Sequence, residues 1–302
     1  MANPIWLITG ASSGLGMACA RYALEQGYGV VATAREASKL AELVSLAPDR
    51  VLAQRLDVTV PGEADAVVAA AIARFGRIDV LINNAGYGVV GAVEETSEAA
   101  LRAQMETNFF GAVAAAKATL PLMRAQGSGA VVNMSSLGGQ LSFAGFGAYS
   151  ASKFALEGIS EALAQEMAPF GVKVMIVEPG QFRTGFAAEA LKHMQAMDAY
   201  RDTVGAVRDF ARGMHGAQDG DPAKAARAVD VALRAEATPL RLHWEPTPWP
   251  RSAPIASNCL GISRPGKASR STRASVRPPA ESGAPGAAAQ HSSTKGHFAV
   301  TI

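Results

Sequence analysis

The sequence predicts an α/β domain built on a parallel sheet with helices covering both faces. Three observations carry that expectation. Short apolar runs of strand length alternate with longer stretches of helical period. A glycine-rich turn joins the first run to the first helix. Polar and glycine-rich positions recur just past the ends of the apolar runs, where sheets of this kind bind ligands.

In order, Ile5–Ile8 is a continuous apolar run with the length of a buried strand, and Leu15–Gln26 is helical and closed by Gly27. Gly29–Thr33 is the second strand and Ala37–Ser45 a short helix; Val51–Leu56 and Glu63–Phe75 repeat the pair. Ile78–Ile82 is the fourth strand. The stretch Glu98–Arg124 is one long helix, interrupted by Lys117 within its apolar part and too short there to span a bilayer. Ala130–Met134, the helix Ser150–Ala168 and the strand Lys173–Val177 follow, with a seventh strand expected at Pro239–His243. Right-handed crossovers between parallel strands complete the expectation. Residues 1–244 form one domain, long enough for a substantial core.

Two constellations carry chemistry. Tyr149 and Lys153, in Tyr-Ser-Ala-Ser-Lys, are four residues apart, so on a helix they share one face. A neighbouring ammonium favours the phenolate and should draw the tyrosine down from its reference pKa of about 10. Such a phenol can exchange a proton with a carbonyl or an alcohol oxygen; the plainer reading is a surface pair. Thr9-Gly10-Ala11-Ser12-Ser13-Gly14-Leu15-Gly16 lies between a strand and a helix, so its amides and the helix dipole suit a phosphate. Gly10, Gly14 and Gly16 permit the turn, the approach of a pyrophosphate and close helix–strand packing. Ser12, Ser13 and Leu15 belong to the same cradle.

Together these residues resemble the classical short-chain dehydrogenase/reductase family. Asn83-Asn84-Ala85-Gly86 matches its N-N-A-G motif, and Asn108 falls where the family carries a catalytic asparagine. Ser135-Ser136 precedes Tyr149 by the expected interval, Ser136 being the better candidate. Pro179-Gly180 with Thr184 matches the segment that closes over the nicotinamide. The matches run in family order from Ile5 to about Leu242. The resemblance implies a Rossmann-type doubly wound sheet of about seven strands in the order 3-2-1-4-5-6-7. It implies a catalytic set of Asn108, Ser136, Tyr149 and Lys153. In those roles Tyr149 protonates the carbonyl oxygen, Ser136 orients it, Lys153 holds the nicotinamide ribose and supports the phenolate, and Asn108 holds a water. For Asn108, a buried amide that satisfies backbone groups is a second reading, compatible with the first. The cofactor would also meet Asn84, Ala85 and Gly86, with Asp57 and Val58 at the adenine. For Asp57, capping of the following turn is the alternative.

Cofactor choice is argued from charge. NAD-preferring relatives carry an acidic residue at the end of the second strand. Here Val31-Ala32-Thr33-Ala34-Arg35 has none, and Glu36 comes one residue late. Arg35 can meet a 2′-phosphate with its guanidinium fork, so NADP(H) is favoured over NAD(H); a solvated arginine is the bland alternative.

Residues 185–220 occupy the place of the family's substrate loop. Phe186, Leu191, Met194, Met197, Tyr200, Val204, Val207, Phe210 and Met214 recur, many at helical spacings, which suits a lid with an apolar underside over the cleft; packing of the lid onto the core is the equal alternative. The expected activity is interconversion of an apolar ketone or aldehyde and its alcohol. A 3-oxoacyl-thioester reductase is the alternative, and a dinucleotide-binding sensor that turns nothing over is the alternative of another class. No metal is expected: His193, His215 and His243 lack ligand spacing. Cys19 and Cys259 offer no disulfide framework. With no secretory segment, a cytoplasmic location is expected. So is a homodimer or homotetramer, with neither nucleic acid nor membrane as partner.

After Trp244 the character changes. Eight of the 16 prolines lie between Pro246 and Pro285, and Arg251, Arg264, Lys267, Arg270, Arg273, Arg277 and Lys295 face only Glu245 and Glu281, so this tail carries +5 in a chain of net +2. Residues 245–302 have the composition of a disordered, solvated tail. A shifted reading frame is a further reading. One C inserted after the His243 codon, in suitable G/C-rich codons, turns His-Trp-Glu-Pro-Thr-Pro-Trp-Pro-Arg into His-Leu-Gly-Ala-Asp-Ala-Leu-Ala-Ala, which restores the family's pattern. The gene sequence decides it.

Overall fold

The computed structural model describes residues 3–214, 216 and 218–243, and the backbone of 298–299. The expectations for the tail, including Cys259 and the frame shift, lie outside the described residues, as does His215. The strands of the main sheet are β1 (Ile5–Ile8), β2 (Gly29–Ala34), β3 (Val51–Arg55), β4 (Val80–Asn83), β6 (Gly129–Met134), β7 (Val172–Glu178), β9 (Arg241–His243) and β10 (Phe298–Ala299). A short strand β5 (Gly88–Val90) and its partner β8 (Leu191–His193) stand apart as a two-stranded parallel sheet.

The main sheet is parallel throughout, in the order β3-β2-β1-β4-β6-β7-β9, with β10 pairing on β9 at the edge. The seven expected strands are present in the expected order. The direction of winding reverses between β1 and β4, and a ligand crevice opens at such a reversal.

Alternation along β1 shows how the sheet is covered on both sides. Trp6 and Ile8 join a core with Cys19, Ala20, Ala23 and Leu24 of α1 (Gly14–Glu25), Leu43 of α2 (Ala41–Leu46) and Val229 and Leu233 of α8 (Pro222–Arg234). Ile5 and Leu7 face the other way, onto Val67 and Ala71 of α3 (Glu63–Phe75) and Ala115 and Met123 of α5 (Gly111–Gln126). Cys19 is 1% exposed and fills core space, and burial pushes its thiol up to about 12.

Three differences from the sequence expectation matter for the site. The long helix is not uniform: α4 (Glu98–Met105) and α5 are joined by a π-helical turn, Glu106–Phe110, with Asn108 inside it. Such wide turns concentrate at functional sites. The lid is only partly helical; α7 (Arg201–Gly213) fits the periodicity, but Leu191–His193 is extended and pairs with Gly88–Val90. Backbone pairing there overrides the local period. Helix α8 was not expected. Its cues are Asp221 accepting from the Ala223 N–H at 2.9 Å as N-cap and Pro222 at the first position.

Candidate active site

The glycine turn is built for close approach. A Cβ on Gly16 would stand 2.4 Å from the Gly10 carbonyl oxygen and 2.5 Å from Asn84 Nδ2, so no larger residue fits. Gly10 and Gly14 have positive φ of 66° and 56°. Ser13 precedes α1 without a side-chain cap, and no acidic residue occupies the first turn. The first amides of α1 are therefore left for an external anion, and the turn fits the pyrophosphate of a dinucleotide.

Asn84 secures this turn from β4. Its Nδ2 donates to the carbonyls of Thr9 and Gly10, both at 3.0 Å. The Thr9 hydroxyl accepts from the Asn84 and Ala85 N–H groups, both at 2.9 Å. Asn84 thus positions the cradle, and Ala85 and Gly86 lead out of it. Thr184 approaches from the far side, 3.5 Å from where a Gly14 Cβ would lie, so the segment after β7 closes over the cradle. Pro179 accepts from the Leu137 N–H at 3.4 Å, which ties that segment to the turn carrying Ser136.

The proton-handling candidates converge from β6, the loop after it and α6 (Gly147–Met167). The Ser136 hydroxyl hydrogen-bonds the Tyr149 phenol and accepts from the Gly138 N–H at 3.1 Å. Lys153 is buried, donates to the Met134 carbonyl at 2.7 Å, and lies 5.8 Å from the centre of the Tyr149 ring. Gly86 is beside it: a Cβ there would meet Asn108 Oδ1 at 3.1 Å and Lys153 Nζ at 3.8 Å. Asn108 is buried, with Nδ2 donating to the Tyr87 carbonyl at 2.9 Å and Ser152 Oγ at 3.0 Å, while Oδ1 accepts from the Tyr87 N–H at 3.1 Å. The side chain therefore satisfies buried groups, which is compatible with either role. Ser135 is buried beside Ser136, and its hydroxyl finds no partner.

One electrostatic expectation is corrected. The phenol is not drawn down in the chain alone: burial pushes Tyr149 above 10, and the Ser136 hydrogen bond only partly opposes it. Burial also pushes Lys153 down to about 8, with Glu157 working against that.

At the adenosine end, Arg35 is exposed just past β2. The Glu36 carboxylate is engaged by Lys39 at 2.9 Å. Asp57 accepts from the Thr59 N–H and hydroxyl at 3.0 and 2.7 Å, so it caps the turn after β3. Burial pushes its carboxyl up, but those bonds and the charges of Arg35 and Arg55 outweigh burial and hold it below the usual range. Val58 packs against Gly111 at the start of α5.

The lid supplies an apolar wall. The Phe186 and Phe146 rings stand 6.1 and 6.2 Å from the Tyr149 ring. A Cβ on Gly88 would meet Leu191 Cδ1 at 2.7 Å, Phe186 at 3.2 Å and Tyr149 at 3.6 Å. Gly88 and Gly138, whose own Cβ would lie 3.1 Å from the Tyr149 ring, are not among the residues expected from the sequence. Gly138, nine residues before α6, gives no signal in sequence of its partner. The lid is latched by a buried ion pair between Arg208 of α7 and Glu95. Glu95 also accepts from the Ala92 and Met197 N–H groups at 2.6 and 2.7 Å. Among the described residues no cluster of His, Cys, Asp and Glu is arranged to hold a metal, and no helix is long and apolar enough to cross a membrane.

Comparison with known proteins agrees with this geometry. The family model described as short chain dehydrogenase matches residues 4–195. The chain is similar to oxidoreductase BOA17 of Botryotinia fuckeliana, at 42% identity over 79% of this chain and 87% of that protein. It is also similar to a 3-ketodihydrosphingosine reductase of Bacteroides thetaiotaomicron, at 47% identity over 62% of this chain and 66% of that protein. Among solved structures, a short-chain dehydrogenase from Streptomyces avermitilis superposes with a TM-score of 0.77 at 52% identity, covering 81% of this chain and 89% of that one. A short chain dehydrogenase/reductase from Burkholderia phymatum, in complex with NAD, superposes with a TM-score of 0.69 at 25% identity, covering 77% and 86%. With the glycine cradle, the strand order and the Tyr149–Lys153 helix in place, the chain belongs to the short-chain dehydrogenase/reductase family, oxidoreductases that act on CH–OH groups with a nicotinamide dinucleotide.

Proposed function

We propose that the chain is an NADP(H)-dependent reductase of apolar ketones or aldehydes, reversible to the alcohol, with Tyr149 as acid and base. The observation that carries the reading is the convergence of Ser136, Tyr149 and Lys153 under an apolar lid. The nicotinamide supplies the hydride equivalent exchanged with the carbonyl carbon. Gly10, Ser12, Ser13, Gly14, Leu15 and Gly16 hold the pyrophosphate through backbone amides, and Ala85, Gly86, Pro179, Gly180 and Thr184 border the nicotinamide half.

The protein's part is orientation and proton transfer. The Ser136 hydroxyl and the Tyr149 phenol are neighbours, so a carbonyl oxygen that replaces the hydrogen bond between them can accept from both. Tyr149, kept protonated by burial, is set up as a proton donor in the reductive direction. Lys153 meets the ribose hydroxyls and stabilises the phenolate left behind. Asn108 fixes the Tyr87 backbone and Ser152, and a water held at its π turn resupplies the proton. Phe146, Phe186 and Leu191 exclude water and favour an apolar substituent on the carbonyl.

NADP(H) preference is supported by the exposed Arg35 and the lack of a carboxylate at the end of β2. The relative named as a 3-ketodihydrosphingosine reductase supports a ketone substrate. The test offers the purified protein NADPH or NADH with a panel of ketones, aldehydes and acyl thioesters. NADPH oxidation with apolar ketones or aldehydes is expected. Turnover confined to acyl thioesters or to NADH would overturn the substrate or the cofactor assignment respectively.

A further inference from the structure

Next to the candidate site, a polar cluster links three of its supports. Glu157 sits one helical turn beyond Lys153 on α6, on the same face. Glu178 ends β7, immediately before Pro179. Both are buried, 5% and 4% exposed. Gln140, which closes the turn begun at Ser136, donates from one Nε2 to Glu157 Oε2 and Glu178 Oε1, each at 3.1 Å. From β9, Arg241 Nε reaches Glu157 at 3.1 Å and Glu178 at 3.3 Å, and its Nη2 reaches Glu161 at 2.5 Å. His243 Nδ1 is 2.5 Å from Glu178 Oε2.

Two features separate the two carboxylates. Burial, and then the charge of Glu157, push Glu178 up to about 7. Glu157 Oε1 is buried without a hydrogen-bond partner. It lies 2.9 Å from where a Gly139 Cβ would be, beside the unpartnered Ser135 hydroxyl at 2.4 Å from that point. Ser135 directly follows Met134, whose carbonyl takes the Lys153 hydrogen bond. Glu157 Oε1 thus lies near the residue that follows the carbonyl seating the ammonium.

We propose that Glu157 is a positioning residue for the reaction: oriented by Gln140 and Arg241, its carboxylate supplies the negative charge that keeps buried Lys153 protonated at working pH. This rests on the role given to Lys153 above. The charged and titratable groups around Lys153 and Glu157 are Tyr149 and Glu161 on α6, Glu178 on β7, and Arg241 and His243 on β9. Burial without Glu157 would leave the ammonium easier to discharge, and the phenolate would lose its support as pH rises.

The test is the pH profile of kcat for the full chain reducing a carbonyl with saturating NADPH. Loss of the Lys153 charge gives the descending alkaline limb. In Glu157→Gln that limb moves to lower pH by about one unit, kcat at pH 8 falls about fivefold, and KM for the carbonyl stays within about twofold. Glu157→Asp returns the limb towards the wild-type position. Glu157→Ala should lower it as the Gln variant does, and carries the test if Gln does not fold. An alkaline limb that coincides with wild type in both the Gln and Ala variants, with or without a lower kcat, overturns the proposal. Tyr149→Phe run alongside separates the two claims. If it abolishes turnover while the Glu157 variants leave the limb in place, only the positioning role fails. If it keeps turnover, the reading of the site fails with it.

Discussion

Replacing Arg35 by alanine tests the cofactor assignment at one side chain. Arg35 follows the last residue of β2, next to the strand whose end carries the glycine turn, and the Ala11 N–H donates to the Thr33 carbonyl at 2.8 Å across that junction. Glu36, the nearest carboxylate in sequence, is bound to Lys39. A 2′-phosphate placed there would gain a charge-assisted contact with an exposed guanidinium. Hydrogen bonds to charged groups contribute about 1.5–3 kcal/mol, and exposure favours the lower half of that range. At about 1.4 kcal/mol per tenfold, Arg35→Ala should raise KM for NADPH roughly 10- to 50-fold. KM for NADH, which lacks the phosphate, should stay within about twofold. Steady-state kinetics with each cofactor at saturating carbonyl reads both numbers, and Arg35→Asp should tip the preference towards NADH. A wild-type enzyme that prefers NADH, or an alanine variant that loses affinity for both cofactors equally, would refute the reasoning.

Gly16→Ala would drive a Cβ to 2.4 Å from the Gly10 carbonyl, so dinucleotide binding measured by fluorescence titration should be lost or weakened at least tenfold; near-normal binding would contradict the cradle. Breaking the buried Arg208–Glu95 pair with Arg208→Met leaves a carboxylate uncompensated. At about 3–5 kcal/mol and 2–4 °C per kcal/mol, Tm should fall by roughly 6–20 °C. An unchanged Tm would show that the latch contributes nothing. For Glu178 the folded pKa is raised above its unfolded value, so its contribution to stability is present at low pH and is lost as pH rises through about 7. Relative to wild type, Glu178→Gln should therefore gain stability between pH 5 and pH 8 in thermal melts, and a constant difference would oppose this.

Much of the architecture could be read from the sequence because each strand of the sheet centre is a continuous apolar run. Ile5–Ile8 and Lys173–Val177 could hardly be anything but buried parallel strands. The candidate site was legible where chemistry is local: Tyr149 and Lys153 share a helix turn, and the glycines of the cradle are contiguous. What depended on distant partners was not. The β5–β8 pairing joins residues about a hundred positions apart, and nothing in Leu191-Lys192-His193 announces a strand. The π turn at Asn108 arises in a stretch whose composition is helical throughout. The raised phenol and depressed ammonium reflect burial, which the i, i+4 spacing of Tyr149 and Lys153 leaves unstated.

The most direct trial of Tyr149 as acid and base is its replacement by phenylalanine, with turnover and NADPH binding measured on the same protein. Loss of the proton donor should cut kcat by about 10²- to 10⁴-fold, while the Kd for NADPH stays within about threefold. A Tyr149→Phe enzyme that still turns over at a comparable rate with intact cofactor binding would contradict it.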